Sequence, residues 1–167
     1  DSIAHMQALD SKGKTVAILP SPLNDIMPAK NKDLAKHIVE SGGLLISEYL
    51  TAPKSKMELS GRYQERDRLQ ALFSNSIVLS ASYAKNDLGN DSGSRLAMGY
   101  AKEYSIPRVV IYDQELHFSN PMFDLNRQII KEEPTVVIFN ERNSISVLDK
   151  ILQLTPRAAD PVQQSII

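Results

Sequence analysis

The sequence predicts an α/β fold with a Rossmann-like open, mostly parallel sheet and helices on both faces. Short apolar, β-branched runs recur along the 167 residues, and strands that are apolar on both faces are typical of a buried parallel sheet. Amphipathic helical patterns separate these runs. Such regular alternation of strands and helices is the sequence form of a doubly wound α/β sheet.

Five apolar runs are predicted to be strands, because each is short and rich in valine, isoleucine and leucine. Each is followed by polar or turn-forming residues, which sets its end. In chain order the predicted strands are Thr15–Pro20, Leu44–Tyr49, Ile77–Ala81, Arg108–Tyr112 and Thr135–Asn140.

The segments between the strands carry apolar residues three and four positions apart, as Leu34 and Ile38 do, which is the spacing of a helix face. A glycine pair, Gly42-Gly43, ends the helical pattern that contains them. The predicted helices lie in NKDLAKHIVESGG, RYQERDRLQALFSN, SGSRLAMGYAKEYS, PMFDLNRQIIKEE and NSISVLDKILQLT.

The chain begins without a methionine and inside a helix-like segment, DSIAHMQAL. We therefore expect a fragment of a longer protein whose sheet lacks the first βα units. Residues 1–155 are predicted to be one Rossmann-type domain, and residues 156–167 a tail or linker.

Composition restricts the classes of function. The chain is 42% hydrophobic and has a formal net charge of -1, so any contact with nucleic acid has to come from a local basic patch. It contains no cysteine, which excludes disulfides and thiolate metal sites. Because no apolar run approaches the length of a membrane helix, we expect a cytoplasmic protein without a membrane partner. Three scattered histidines, His5, His37 and His117, predict neither a metal site nor a cofactor.

Ligands of open α/β sheets bind beyond the carboxyl ends of the strands, so the loops after the strands carry the candidate site. Ser92-Gly93-Ser94 opens a predicted helix there. A serine at that position caps the helix, and the same N–H groups with the helix dipole also bind an anion. Basic residues are concentrated in two of these loop and helix segments: Lys54, Lys56, Arg62, Arg66, Arg68, Lys85 and Arg95.

The segment RYQERDRLQAL offers arginines for a phosphate clamp, since guanidinium groups bind phosphate oxygens in pairs. Arg62 and Arg66 are four residues apart and can share a helix face, whereas Arg68 points elsewhere. Tyr63 is a candidate for base stacking. The alternative is a solvated helix start with pairs between arginines and glutamates such as Glu65.

Catalytic motifs are absent from the sequence. Neither GxGxxG nor GxxxxGK[ST] occurs, so a dehydrogenase or P-loop ATPase is not supported. Glu48 is a lone carboxylate at a strand end, and it can act as a general base or as the counter-ion of Arg66 or Arg68. We expect no catalytic residues and a protein that is not an enzyme.

Taken together, the motifs resemble the DNA-processing protein A (DprA/Smf) family over about residues 1–138. The resemblance rests on KTVAILPSPLN, GGLLISEYL, RYQERDRLQAL, SGSRLAMGYA and NPMFDLNRQII in this order. The chain departs from the family patterns at several positions: Pro20-Ser21-Pro22 replaces glycines, Asp67 replaces an asparagine, Arg95 is added, and Ala97 replaces a threonine.

The resemblance implies a recombination mediator that binds single-stranded DNA in natural transformation, loads a RecA-type recombinase and works as a homodimer. It implies a pocket formed by Ser92, Gly93 and Ser94 with Arg66 and Arg68, and it places Asn126 and Arg127 beside that pocket. Arg95, Tyr63 and Arg62 complete the predicted phosphate-binding set.

Two other functions stay open from the sequence. One is a binding protein for a nucleotide or a nucleotide-derived small molecule, either a sensor or a relative of the phosphoribohydrolases. Those enzymes carry PGGxGTxxE, and this chain lacks both the glycine pair and the glutamate. The other is a scaffold that has lost its ligand and retains only dimerisation or contact with a partner.

Overall fold

The computed structural model describes residues 2–85 and 92–153. The chain divides into two compact units, Asp1–Gln70 and Ala71–Ile167. The predicted tail, 156–167, lies outside the described residues, and the single domain 1–155 stays a prediction. Within the described ranges, no helix has both the length and the apolar character needed to cross a membrane.

The first unit contains a two-stranded parallel sheet. Strand β1 (Val16–Leu19) pairs with β2 (Leu44–Ser47), with Val16 opposite Leu44 and Leu19 opposite Ser47. Helix α1 (Ser2–Asp10) precedes β1, α2 (Lys32–Glu40) connects the strands, and α3 (Lys56–Leu72) follows β2 and belongs to this unit up to Gln70. A short 3-10 turn, Ala29–Asn31, leads into α2.

The core of the first unit forms where α1 and α2 pack on the sheet. Its buried side chains are Leu9, Ala17, Leu19 and Ile38. The predicted glycine pair allows this packing: Gly42 has φ +78°, and a Cβ at Gly43 would lie 2.4 Å from the carbonyl oxygen of Thr15. Only glycine fits both positions without strain.

The second unit contains a three-stranded parallel sheet in the order β3-β4-β5. Its elements are β3 (Ile77–Leu79), α4 (Gly93–Glu103), β4 (Arg108–Ile111), α5 (Gln114–His117), α6 (Asp124–Glu132), β5 (Val137–Phe139) and α7 (Ser144–Leu152). The core lies between the sheet and its helices and includes Leu79, Met98, Val110, Leu125 and Ile129.

The predicted α/β class, with parallel strands and interleaved helices, is confirmed. The described strands form two sheets, of two and three strands, where one open sheet was predicted. The other differences concern the ends of the elements. The strands are shorter than predicted, and α5 was not predicted. Helix α3 begins at Lys56, six residues before the predicted start, because the Ser55 hydroxyl accepts a hydrogen bond from the Glu58 N–H (3.1 Å) and so caps the first turn.

Candidate functional site

The start of α4 holds the predicted serine-glycine turn. Ser92 is the N-cap: it has extended backbone angles, and its hydroxyl accepts a hydrogen bond from the Arg95 N–H. Gly93 and Ser94, the first two residues of the helix, are exposed. Their N–H groups have no acceptor within the helix. The cap and an accessible helix N-terminus therefore coexist in the same turn.

The cap is held from the loop that follows β3. The hydroxyls of Ser82 and Ser92 lie 2.6 Å apart, within hydrogen-bond distance. Ser82 is itself buried, and its carbonyl oxygen accepts a hydrogen bond from the Leu125 N–H (3.0 Å) at the start of α6. The position of Ser92 is thus set by contacts that reach from the sheet edge to a second helix.

Asn126 joins the elements around this turn. Its side chain is completely buried. The amide nitrogen donates to the carbonyl oxygens of Ser80 (2.9 Å) and Ile111 (2.8 Å), and the amide oxygen accepts from the Ser82 N–H (3.3 Å). These hydrogen bonds connect the carboxyl ends of β3 and β4 to α6. The sequence placed Asn126 beside the pocket, and the structure gives it this connecting role.

Arg127, which the resemblance also places beside the pocket, contacts the segment between α5 and α6. Its guanidinium donates to the carbonyl oxygens of His117 (2.6 Å) and Asn120 (3.1 Å), and it pairs with Asp124. It fixes the loop between α5 and α6.

The arginines predicted for a phosphate clamp lie on α3 of the first unit, and two of them are largely buried. The Arg62 side chain is 8% exposed. It donates to the Thr51 carbonyl oxygen (2.8 Å) and to Glu58 (2.7 Å), and its guanidinium lies 4.2 Å from the centre of the Tyr49 ring. Glu65 instead accepts from the Tyr49 hydroxyl at 2.6 Å. Arg62 therefore holds the loop after β2 against α3.

Arg66 reaches β1. Its guanidinium donates to the Ile18 carbonyl oxygen (3.0 Å) and lies 4.9 Å from the centre of the Tyr63 ring. The Leu44 N–H donates to the Thr15 carbonyl oxygen, so the alternation along a strand directs the Ile18 carbonyl to the edge of β1 that faces away from β2. Arg66 thus covers this edge, and 18% of its side chain stays exposed.

Arg68 is the most accessible of the three arginines. Its Nη2 donates to both carboxylate oxygens of Glu48, at 2.5 and 2.7 Å, and both side chains are more than a third exposed. The structure confirms Glu48 as a counter-ion of Arg68. Exposed pairs of this kind contribute about 0–1 kcal/mol to stability.

Between these arginines lies an unexpected buried carboxylate. The Asp67 side chain is 7% exposed, and its Oδ1 lies 4.0 Å from Nε of Arg66. Its Oδ2 has no hydrogen-bond partner within the described residues. Burial raises the pKa of Asp67 to about 6, and the charge of Arg66 opposes that shift only in part. The sequence offered no signal for this burial, because an aspartate in a charged helix segment is normally solvated.

Two of the three histidines contact neighbouring side chains. The His5 Nδ1 lies 2.7 Å from the Thr15 hydroxyl, and the His117 ring stacks on Phe123 at 3.8 Å between centres. Over residues 2–85 and 92–153, no three histidine, aspartate or glutamate side chains are grouped as a metal site would require.

The predicted set of site residues is divided between the two units. Tyr63, Arg62, Arg66 and Arg68 belong to the first, and Ser92, Gly93, Ser94 and Arg95 belong to the second. Their union in one phosphate-binding pocket stays a prediction.

Comparison with known proteins gives a consistent result. A family model described as DNA recombination-mediator protein A matches residues 1–148. Protein Smf of Escherichia coli is 32% identical over 79 residues, covering 47% of this chain and 20% of that protein. Protein Smf of Synechocystis is 30% identical over 105 residues, covering 63% of this chain and 24% of that protein. The chain thus spans about a quarter or less of these relatives.

Two solved structures share the fold. DNA processing protein A (DprA) from Streptococcus pneumoniae has a TM-score of 0.65 and 25% identity, over 87% of this chain and 47% of that chain. DNA processing protein A from Helicobacter pylori, whose structure describes its single-stranded DNA binding mode, has a TM-score of 0.57 and 25% identity, over 81% of this chain and 56% of that chain.

Proposed function

Because this chain belongs to the DNA recombination-mediator protein A (DprA/Smf) family, we propose that it binds single-stranded DNA through the phosphate backbone. The observation that carries the proposal is the start of α4, where Gly93 and Ser94 are exposed behind a serine cap that Ser82 holds in place. A helix N-terminus of this kind presents N–H donors and a positive dipole end to an anion.

Each contact proposed here concerns phosphate or a base face. The N–H groups and hydroxyl of the α4 turn bind one phosphate, and Arg95 adds a positive charge in the same turn. Arg68 binds another phosphate after its ion pair with Glu48 breaks. The exposed part of the Arg66 side chain also contacts phosphate. Tyr63, half-buried under Arg66, offers one ring face to a base. Backbone and stacking contacts do not depend on base identity, so the binding is expected to be independent of sequence.

The wider role is proposed on the same basis. We infer a protein that mediates recombination without being an enzyme, that acts on incoming DNA in natural transformation, and that loads a RecA-type recombinase. In this role it is a cytoplasmic homodimer. The family membership and the DNA-binding relative support these points, and the relatives are considerably longer than this chain.

Fluorescence anisotropy with a short oligo-dT at low and moderate salt tests the DNA-binding proposal. We expect binding that weakens steeply with salt, because bound phosphates release counter-ions. Arg68→Ala should weaken it further, whereas Lys36→Ala should not, although Lys36 also forms an exposed ion pair, with Glu40 on α2. Absence of binding, or binding that responds neither to salt nor to Arg68→Ala, would contradict the proposal.

A second candidate is a nucleotide or nucleotide-derived small molecule. The start of α4 favours this candidate, because one capped helix N-terminus is enough to bind one phosphate group. A thermal-shift screen with nucleoside monophosphates and signalling nucleotides separates the two. A mononucleotide that raises the melting temperature where oligo-dT does not would establish the small-molecule function.

A further inference from the structure

Asp67 stands out among the charged residues of α3 because it is buried without full hydrogen bonding. Its side chain is 7% exposed, and Oδ2 has no partner within the described residues. Burying an ionised carboxylate with an unsatisfied oxygen is costly. In the sequence it lies between Arg66 and Arg68, the two arginines proposed to bind phosphate.

The charged group that lies beside Asp67 is Arg66, whose Nε is 4.0 Å from Oδ1. The next residue on α3, Arg68, pairs with Glu48, which follows β2. On α1, His5 is within the field of Arg66, and burial together with that field lowers the pKa of His5. Arg66 is therefore the cation that the Asp67 carboxylate most directly neutralises.

Resting on the proposed DNA-binding function, we propose that Asp67 is a built-in counter-charge that weakens phosphate binding by Arg66 and Arg68 while it is ionised. The physical reason is additive charge: a carboxylate beside a guanidinium cancels part of its attraction for phosphate and repels the phosphate itself.

This arrangement makes binding depend on pH within a physiological range. Burial raises the pKa of Asp67 to about 6, so the carboxyl loses its charge as the pH falls below neutrality. Affinity for DNA is then expected to increase. Protonation of His5 also increases the affinity for DNA. Because Asp67→Asn keeps His5, the difference between the two proteins isolates the contribution of the Asp67 carboxyl.

Oligo-dT anisotropy at constant ionic strength, from about pH 7.5 to about pH 5, tests the inference by comparing the full chain with Asp67→Asn. The unmodified chain is expected to gain about fivefold in affinity across this range. Asp67→Asn is expected to bind about fivefold more tightly at the upper pH and to lose most of the pH dependence. Asp33→Asn, at an exposed position on α2, removes one negative charge elsewhere and should retain the original profile.

A second measurement separates an electrostatic role from a purely structural one. Carbon-13 NMR of the Asp67 carboxyl should show that saturating oligo-dT raises its pKa, because protonation and DNA binding favour each other reciprocally. If both proteins bind DNA with parallel pH profiles and DNA leaves the carboxyl titration unchanged, this inference fails and the proposed function stands. If neither protein binds at any pH, both fail.

Discussion

The hydroxyl groups of Ser82 and Ser92 lie 2.6 Å apart, and this contact ties the loop after β3 to the first turn of α4. Ser92 in turn caps the helix by accepting the Arg95 N–H. The exposed turn proposed to bind phosphate is therefore supported by a buried residue, Ser82, that has no need to touch the ligand.

Ser82→Ala is predicted to destabilise the first turn of α4 and to weaken the binding of DNA. Losing one hydrogen bond between hydroxyls should lower the free energy of unfolding by about 1 kcal/mol, measured by urea denaturation. Oligo-dT affinity should fall in the same variant, because the cap is less well fixed. Ser146→Ala removes an exposed hydroxyl of α7 that bonds the Asn143 carbonyl oxygen, and it should leave the affinity unchanged. An equal loss of affinity in both variants would contradict this role for Ser82.

Asn126→Leu is predicted to be the more damaging change in the second unit. Leucine preserves the approximate volume but leaves the Ser82 N–H and the carbonyl oxygens of Ser80 and Ile111 without their partner. Unpaired buried polar groups should cost about 3 kcal/mol of unfolding free energy or more, measured by urea denaturation. The control is Gln128→Ala on the exposed side of the same helix. A loss no larger than that of the control would show that water replaces these bonds.

The sequence was sufficient to predict the class of fold and the parallel strands, because apolar β-branched runs between amphipathic helices have few other solutions. The sequence was insufficient to predict which face of α3 is buried. The buried residues of that helix include Arg62 and Asp67 beside Leu69, so the period of apolar residues did not mark the buried face. Charge predicted exposure for Arg62 and Arg66, whereas carbonyl oxygens from distant segments, Thr51 and Ile18, draw both inward. Such partners are visible only in three dimensions.

Glu48→Gln is predicted to strengthen DNA binding. The substitution removes the carboxylate that competes with phosphate for Arg68, and oligo-dT affinity should rise by about two- to fivefold at low salt. Stability should change by less than about 1 kcal/mol because the pair is exposed. Glu40→Gln breaks the exposed pair with Lys36 and changes the net charge equally. If both variants gain the same affinity, net charge alone explains the effect, and Arg68 is not a phosphate contact.

The contribution of Asp67 to the free energy of unfolding is predicted to be more favourable in mild acid than at neutral pH. Its pKa is raised from 3.8 in the unfolded chain to about 6 in the folded protein, so the folded state binds the proton more tightly. The stabilisation is fully present below the unfolded value and is lost as the pH rises through the folded value. A shift of this size corresponds to about 3 kcal/mol.

Urea denaturation of the unmodified chain and Asp67→Asn at a series of pH values measures this contribution. Asparagine cannot ionise, so the two proteins should have similar unfolding free energies near pH 3.8, the unfolded pKa, and diverge as the pH rises. At neutral pH the variant should be more stable by up to about 3 kcal/mol. Asp33→Asn should not reproduce the divergence, because the residue is exposed. A constant difference between Asp67→Asn and the unmodified chain at every pH would mean that the Asp67 pKa is the same in the folded and unfolded states.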